Sequence, residues 1–379
     1  MEPGLNAYAI KDPGRIVTPA LLIYPEQVDA NIRAAIKLAD NDPNRWRPHI
    51  KTAKLGYTLR RLLEHGVKNF KCSTTLELLA ACQLNAADVL VAFAVMGANR
   101  ERILEIAEQY AKTRISVLVE SAEQVASWRN TGIGMFIDVN SGMNRTGVDQ
   151  DSVSDLLALG RNIGSALRGL HYYDGHMSGF PPEERQNAAF AGYDHLLKAV
   201  EAFGETGLPV EEVITSGTPA APFGIAYPGF RNASFIHRIS PGTVVYNDMV
   251  SLQQLPGYGF APAAFVLSTV ISHPLARQVT CDAGHKSVSA DAGVPTCSVL
   301  GHPELTPLKP SEEHLPVQSA SDAVPELGSK LYLLPRHVCP TVNNFDHALL
   351  VVDGEIRGIE SVTARGHENP LVLREKVAV

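Results

Sequence analysis

From Thr18 to about Val250 the chain alternates short apolar runs with stretches whose apolar residues recur at helical spacing. The runs, in order, are "WRPHI", "KNFKC", "DVLVAF", "ISVLV", "MFIDV", "LRGLHYY", "EVITS" and "FIHRI". Between them, "TLELLAACQLN" (Thr75–Asn85) and "NRERILEIAEQYAK" (Asn99–Lys112) read as capped helices. Eight strand–helix units predict a (β/α)8 barrel of the TIM type; strand count alone leaves a doubly wound open sheet as the alternative. After Pro256 the pattern changes. "AAFVLSTVIS", "RQVTCDAG", "TCSVLG", "KLYLLPRHVC", "HALLVVDG" and "EIRGIESVTARG" read as strands with no helix between them, and "VDGEI" as a hairpin turn. The expected organisation is α/β: a barrel over residues 18–255 and an all-β domain over 256–379, to which residues 1–17 could add a strand. Pro307–Glu326 reads as loop.

In a barrel, chemistry collects where strands finish. Lys51, in "RPHIKTAK", follows the first run at a point read as strand giving way to helix. His49, two residues back, shares its strand face if the strand is regular. It would pack near a ligand or sit as a satisfied polar residue at the rim. "NSGMNRTG" follows the fifth run and "YDGHMSG" the sixth; His176 lies beyond that strand end and is preferred to His171 as a site residue. "SGTPA" and "SPGTVVYND" follow the seventh and eighth, where barrels often hold a phosphate through backbone N–H groups and hydroxyls. A strand-end lysine facing a phosphate site suggests pyridoxal phosphate bound as a Schiff base. The bland alternative is a solvated lysine beside ordinary turns.

The β-domain carries "PRHVCPTVN". His337 and Cys339 stand at i and i+2, so on a strand both would face one way, as ligands of a divalent ion such as zinc or as a surface histidine and a buried thiol. Asp282 in "CDAGHKS" and the "SEEH" loop (Ser311–His314) are weaker candidates, the latter equally readable as a solvated charged loop.

Composition narrows the classes. The chain has 379 residues, 45% hydrophobic and 19% charged, with net charge −7 and no basic block, which argues against nucleic acid or an anionic membrane as partner. No apolar run approaches the ~18 residues of a membrane span. The first residues lack the basic and apolar regions of a signal peptide, and five scattered cysteines without CxxC suit a reduced, cytoplasmic protein.

"TPALLIYPEQVDANI", "RPHIKTAK", "SGTP" and "PGTVVYND" together resemble the fold-type III pyridoxal enzymes of the D-threonine aldolase and D-serine dehydratase family, kin to alanine racemase. The resemblance covers nearly the whole chain. It implies an alanine racemase-like barrel with Lys51 as the Schiff-base lysine and Arg145 beside the ring phenolate. It implies a phosphate cradle of Ser216, Gly217, Thr218, Gly242 and Thr243, with Tyr173 and Tyr246 as ring-side or phosphate contacts. His49 joins Lys51 and Arg145 as a candidate catalytic group. His337 and Cys339 become ligands of a divalent ion, zinc by the cysteine, with manganese or magnesium as alternatives. The implied activity is a metal-dependent lyase of D-3-hydroxy amino acids, by elimination of the β-hydroxyl or by retro-aldol cleavage. "His-x-Cys" resembles the dehydratases and "PTVN" the aldolases. The implied assembly is a homodimer. An amino-acid racemase and a non-catalytic pyridoxal-binding protein are the contrasting readings; the first leaves His337 and Cys339 unexplained, and the second lacks a β-domain.

Overall fold

The structure, a computed structural model, describes residues 5–370. The chain forms two compact units. One comprises Ile36–Lys51, Leu62–Gly242 and the described residues from His367 on; the other comprises the described residues up to Ala35, Thr52–Arg61 and Thr243–Gly366. This division differs from the expected boundary at 255/256. Residues 1–4 and 371–379 of the expected β-domain lie outside the described residues.

The first unit is a barrel. Seven strands run parallel in chain order: Asn69–Cys72, Asp88–Ala94, Arg114–Val119, Gly134–Asn140, Leu167–Tyr172, Glu212–Thr215 and Ile236–Ile239. The eighth position is filled by the segment from Trp46 to Ile50. The Arg47 N–H donates to the Ile239 carbonyl (2.9 Å), the Lys71 N–H to that of Pro48 (3.0 Å) and the Ile50 N–H to that of Lys71 (2.8 Å). These bonds join the first and last strands, so the sheet closes and the open-sheet alternative is excluded. Seven of the eight apolar runs read from sequence contain barrel strands, and the first, Trp46–Ile50, supplies the closing segment.

The helices begin where side chains satisfy free N–H groups. Thr74 caps Thr75–Gln83 by accepting from the Glu77 N–H (3.1 Å), and Glu77 reaches back to the Ser73 N–H (2.7 Å). Inside the barrel, Arg47 is fully buried. Its guanidinium holds both oxygens of Glu212 (2.8 and 2.9 Å) and one of Asp88 (2.8 Å). A fork of this kind meets the geometry that buried charges need, and removing one partner would strand the others.

The second unit is built on a nine-stranded sheet. Its main path runs Leu305–Pro307, Leu315–Ser319, Gln278–Cys281, Ala264–Leu275, Ala20–Ile23, His347–Val352, Glu355–Ser361; Lys330–Pro335 also pairs with Ala264–Leu275 and carries Cys297–Val299. The N-terminal strand is Ala20–Ile23, not a segment of residues 1–17, whose described part makes only 3-10 turns at Leu5–Ala7 and Pro13–Arg15. Leu21, Leu22 and Ile23 are buried, and the strand is paired on both sides, which suits an apolar run. Leu315–Ser319 lies inside the stretch expected to be loop. Its burial alternates strictly, so the period of two was present in "LPVQS" and was masked by flanking polar residues.

All five cysteines are free and buried. Among the described residues no helix is long and apolar enough to cross a membrane.

Candidate active site

At the barrel's closing segment, the strand stops at His49. Ile50 and Lys51 form a turn, and the helix expected to start here begins at Gly56. Strand alternation therefore does not carry from His49 to Lys51. Instead the His49 Nδ1 accepts the Lys51 backbone N–H (3.2 Å), and its Nε2 pairs with the Ser73 hydroxyl (2.9 Å). The imidazole braces the turn that presents Lys51, whose side chain is exposed.

Beside it in the barrel lies a second lysine. Lys71 is 2% exposed, with Nζ 2.6 Å from the Ser240 hydroxyl, 3.2 Å from His171 Nε2 and 5.3 Å from the centre of the Tyr173 ring. His171 Nδ1 pairs with Asp138 (2.7 Å), whose other oxygen accepts from the Thr146 hydroxyl (2.8 Å). Burial would raise the Asp138 carboxyl, but His171, Thr146 and Lys71 outweigh it and hold it anionic. Burial and the Lys71 charge lower the His171 imidazole and keep it neutral. Burial, then the charge of Lys51, push the Lys71 ammonium down to about 7. Arg145, exposed on the loop after Gly134–Asn140, lays its guanidinium 5.2 Å from the centre of the same Tyr173 ring.

Two loops complete this end of the barrel. Gly217 lies against Tyr173: a Cβ there would approach the ring to 2.9 Å. Its N–H donates to Asp174 (3.2 Å), and Tyr193 donates to the other Asp174 oxygen (2.7 Å). Burial raises the Asp174 carboxyl to about 6 despite those donors. The Ser216 hydroxyl is fully buried and bonded to Tyr193 (2.9 Å) and Thr215 (2.8 Å), so it points away from the role of phosphate donor expected for it. Thr218, also buried, opens the 3-10 turn Thr218–Ala220. Gly242 has a backbone reason to be glycine: a Cβ would stand 2.1 Å from the His49 carbonyl oxygen.

In the β unit the strand Lys330–Pro335 ends before His337. His337 is the N-cap of a six-residue helix, Val338–Asn343, and Cys339 lies in its first turn. The expected i, i+2 strand geometry is therefore replaced. The two side chains still meet: His337 is hydrogen-bonded to Cys339 and, through Nδ1, to Asp291 (2.6 Å). Burial would lower the imidazole, but Cys339 and Asp291 push it up to about 9. The Cys339 sulfur lies 2.9 Å from the Thr52 hydroxyl and 3.6 Å from that of Thr243. Asp248 accepts from the Val338 N–H (3.0 Å) and the Ser251 N–H (2.8 Å), so one buried carboxylate fixes the starts of two helices. Among the described residues no three His, Cys, Asp or Glu side chains gather as a metal cage. Tyr246, expected at the cofactor, is fully buried with its hydroxyl on Thr58 (2.6 Å).

The family described as "Alanine racemase, N-terminal domain" matches residues 23–249, and "Putative serine dehydratase domain" matches residues 263–351. The chain belongs to the fold-type III pyridoxal phosphate enzymes. It is 30% identical over 372 residues to a D-threonine aldolase of Arthrobacter sp, covering 93% of each chain. It is 25% identical over 369 residues to a D-threo-3-hydroxyaspartate dehydratase of Delftia sp. (strain HT23), covering 90% of this chain and 96% of that one. The structure of a D-threonine aldolase from Filomicrobium marinum superposes with a TM-score of 0.83 at 27% identity, covering 93% and 96%. A D-threo-3-hydroxyaspartate dehydratase has also been solved as a cysteine-to-alanine variant in a metal-free form; that likeness, with a TM-score of 0.78 at 24% identity, shows the fold.

Within this fold-type III enzyme, the barrel unit gathers Lys51, His49, Arg145, Tyr173, Ser216, Gly217, Thr218 and Gly242 at the strand ends. The β unit holds Thr243, Tyr246, His337 and Cys339. Sequence reading missed Lys71, the Asp138–His171 pair, Asp174, Asp248 and Asp291. Lys71 and Asp138 were detectable as charges inside apolar runs. Asp291 was not, because nothing local links it to a histidine 46 residues on. His176, preferred to His171, lines a cavity of about 290 Å³ with Ser141, Gln150 and His195. Asp282 is tied to Thr18, Ser268 and Thr269, and Glu312 and Glu313 pair with Lys286 at the surface.

Proposed function

We propose that this enzyme is a metal-dependent pyridoxal phosphate lyase that breaks bonds at Cα and Cβ of D-3-hydroxy amino acids. The observation that carries the metal half is the His337 cluster. Asp291 takes Nδ1, as carboxylates do behind metal-bound histidines, and turns the imidazole towards Cys339, its fellow ligand. The cluster also favours a cation, since its neighbours raise the imidazole against the effect of burial. A thiolate and an imidazole suit zinc. Such an ion would make a β-hydroxyl both more acidic and a better leaving group.

The barrel residues fit the organic cofactor. Lys51 offers an exposed amine, and Lys71 and Arg145 place two further cations about Tyr173 beside the Gly217 loop, which suits a dianionic phosphate ester with a phenolate. Lys51 would hold the aldehyde, the loops at Ser216–Thr218 and Gly242–Thr243 the phosphate, and Arg145 and Tyr173 the ring. Bound there, pyridoxal phosphate supplies an electron sink for bonds at Cα. Where elimination is the reaction, the Lys51 amine would be the base for the Cα proton; retro-aldol cleavage leaves that proton in place. His49 fixes the turn that aims the amine. The Arg145 guanidinium would hold negative charge on the ring oxygen. The reading extends to a cytoplasmic homodimer. A racemase would leave the Asp291–His337–Cys339 cluster without a task.

The test is to incubate zinc-loaded protein with D-serine, D-threonine and their L-isomers, assaying ammonia and glycine separately. The expected result is product from a D-isomer only. Ammonia identifies elimination and glycine identifies retro-aldol cleavage. Racemisation without either product would overturn the reading.

A further inference from the structure

Lys71 is a buried amine whose partners lead to the Ser216–Thr218 loop, to Arg145 and to the Asp138–His171 pair. Its three N–H donors have three acceptors: His171 Nε2 (3.2 Å), the Ser240 hydroxyl (2.6 Å) and the face of the Tyr173 ring (5.3 Å to its centre). Two hydrogen-bond partners and a ring face would receive an ammonium ion, with its three donors, once the amine is protonated. Each partner reaches on. Ser240 donates to the carbonyls of Thr215 and Ser216 (3.2 Å each), and the Ser240 N–H donates to that of Ser216 (3.0 Å), the residue before Gly217. Tyr173 abuts Gly217 and carries Arg145 at 5.2 Å. His171 leads to Asp138 and Thr146.

The charges around Lys71 do not hold its proton firmly. Lys51 on the closing turn and Arg47 on the closing segment repel it; Asp138 on Gly134–Asn140 and Asp174 after Leu167–Tyr172 attract it, and His171 beside it is neutral. Arg145 adds a third cation across the Tyr173 ring. Burial completes the effect, so at neutral pH the amine is poised between its two states. An anion arriving at the Gly217 loop and Tyr173 would reverse that balance, because in a buried site a nearby negative charge favours the protonated form.

We propose that Lys71 is the positioning countercharge of the cofactor site, taking up a proton as the anionic cofactor binds. The proposal rests on the reading that pyridoxal phosphate occupies this barrel. Lys71 forms no bond to the cofactor aldehyde. It acts through Tyr173 and Ser240, which set the ring side and the phosphate loop.

The experiment uses the full chain and pyridoxine 5'-phosphate, which lacks the aldehyde and leaves Lys51 chemistry out of the proton count. Binding is followed by calorimetry at pH 8 in two buffers of different ionisation enthalpy. With its group near 7, Lys71 starts about one-tenth protonated at pH 8. Wild-type protein should therefore take up most of one proton. Lys71→Met should lose that uptake and bind roughly tenfold or more weakly. Lys71→Arg, which keeps the charge, should recover affinity without uptake. The wild-type proton count needs no variant: binding without uptake overturns the proposal and leaves the cofactor reading standing. Equal uptake by folded Lys71→Met protein overturns it as well. If wild-type protein does not bind pyridoxine 5'-phosphate at all, the cofactor reading falls and takes this proposal with it.

Discussion

The barrel unit assembles its charges by strand register, whereas the β unit assembles its pair on one short helix. In the barrel, Lys71, Asp138, His171 and Ser240 come from four separate strands or strand ends and meet because parallel pairing brings their positions level. In the β unit, His337 and Cys339 are two residues apart, and the work lies in aiming them: Asp248 fixes the helix start and Asp291 turns the imidazole. The first arrangement suits a large anion held by many weak contacts. The second suits a small cation held by two strong ones. One consequence is that single substitutions should act differently in the two regions.

The largest effect is expected at Lys51. Lys51→Ala should lower turnover on the order of 10³-fold or more, as loss of a positioned base does, and should remove the visible band that borohydride bleaches in wild-type protein. A labelled peptide carrying any other lysine would move the assignment. Cys339→Ala comes next. It should empty the metal site and cost about 100-fold or more in β-cleavage, read by metal content and product assay together. Full metal content with full activity would reduce the helix start to a structural feature. Asp291→Asn should be milder, with metal affinity falling roughly 10–100-fold, since the ligands stay and only the orientation of one is released. Unchanged affinity in a metal titration would show that Asp291 does not set the imidazole.

The remaining two predictions address the barrel's own framework. Gly242→Ala should destabilise the protein by about 1–3 kcal/mol or more, because the new methyl meets the His49 carbonyl and the closing segment must shift. Thermal unfolding of the cofactor-free protein measures this. Unaltered stability would mean the segment yields easily. This departs from what the sequence suggests, which is that Gly242 matters for the phosphate alone. Asp174→Asn gives the smallest and most specific effect. The Asp174 carboxyl is raised to about 6 in the fold from an ordinary 3.8. Between those values the folded state binds the proton and the unfolded state has released it, so the Asp174 contribution to stability falls as pH rises from about 4 to 6. Asparagine should flatten that part of the stability–pH curve. A wild-type and variant difference that is constant across pH 4–6 would contradict it.

Much of this was legible from sequence, for reasons that differ by region. The barrel strands declare themselves because a strand buried on both faces must be apolar along its whole length, as in "ISVLV" and "EVITS". Lys51 stood out as the first strand-end lysine. The turn that presents it was misread, since nothing in "HIKT" shows that alternation stops at His49. The family resemblance implies a place for Ser216 in the phosphate cradle. The Ser216 hydroxyl is instead enclosed by Tyr193 and Thr215, contacts made by long-range folding. The β unit was harder. "PRHVC" continues an apolar strand pattern, and the helix start at Val338 is held by the Asp248 carboxylate, 90 residues earlier. Ala20–Ile23 falls inside the range expected for the barrel, 18–255, yet it pairs on both sides within the other sheet.

Removing the metal and watching both regions at once tests metal dependence of the cleavage directly. Purified protein is treated with a strong chelator, and the visible absorption band and β-cleavage of a D-3-hydroxy amino acid are recorded on the same sample, before and after zinc is restored. The band should persist while cleavage is lost, and cleavage should return with zinc. Cleavage that continues undiminished in metal-free protein would contradict metal dependence.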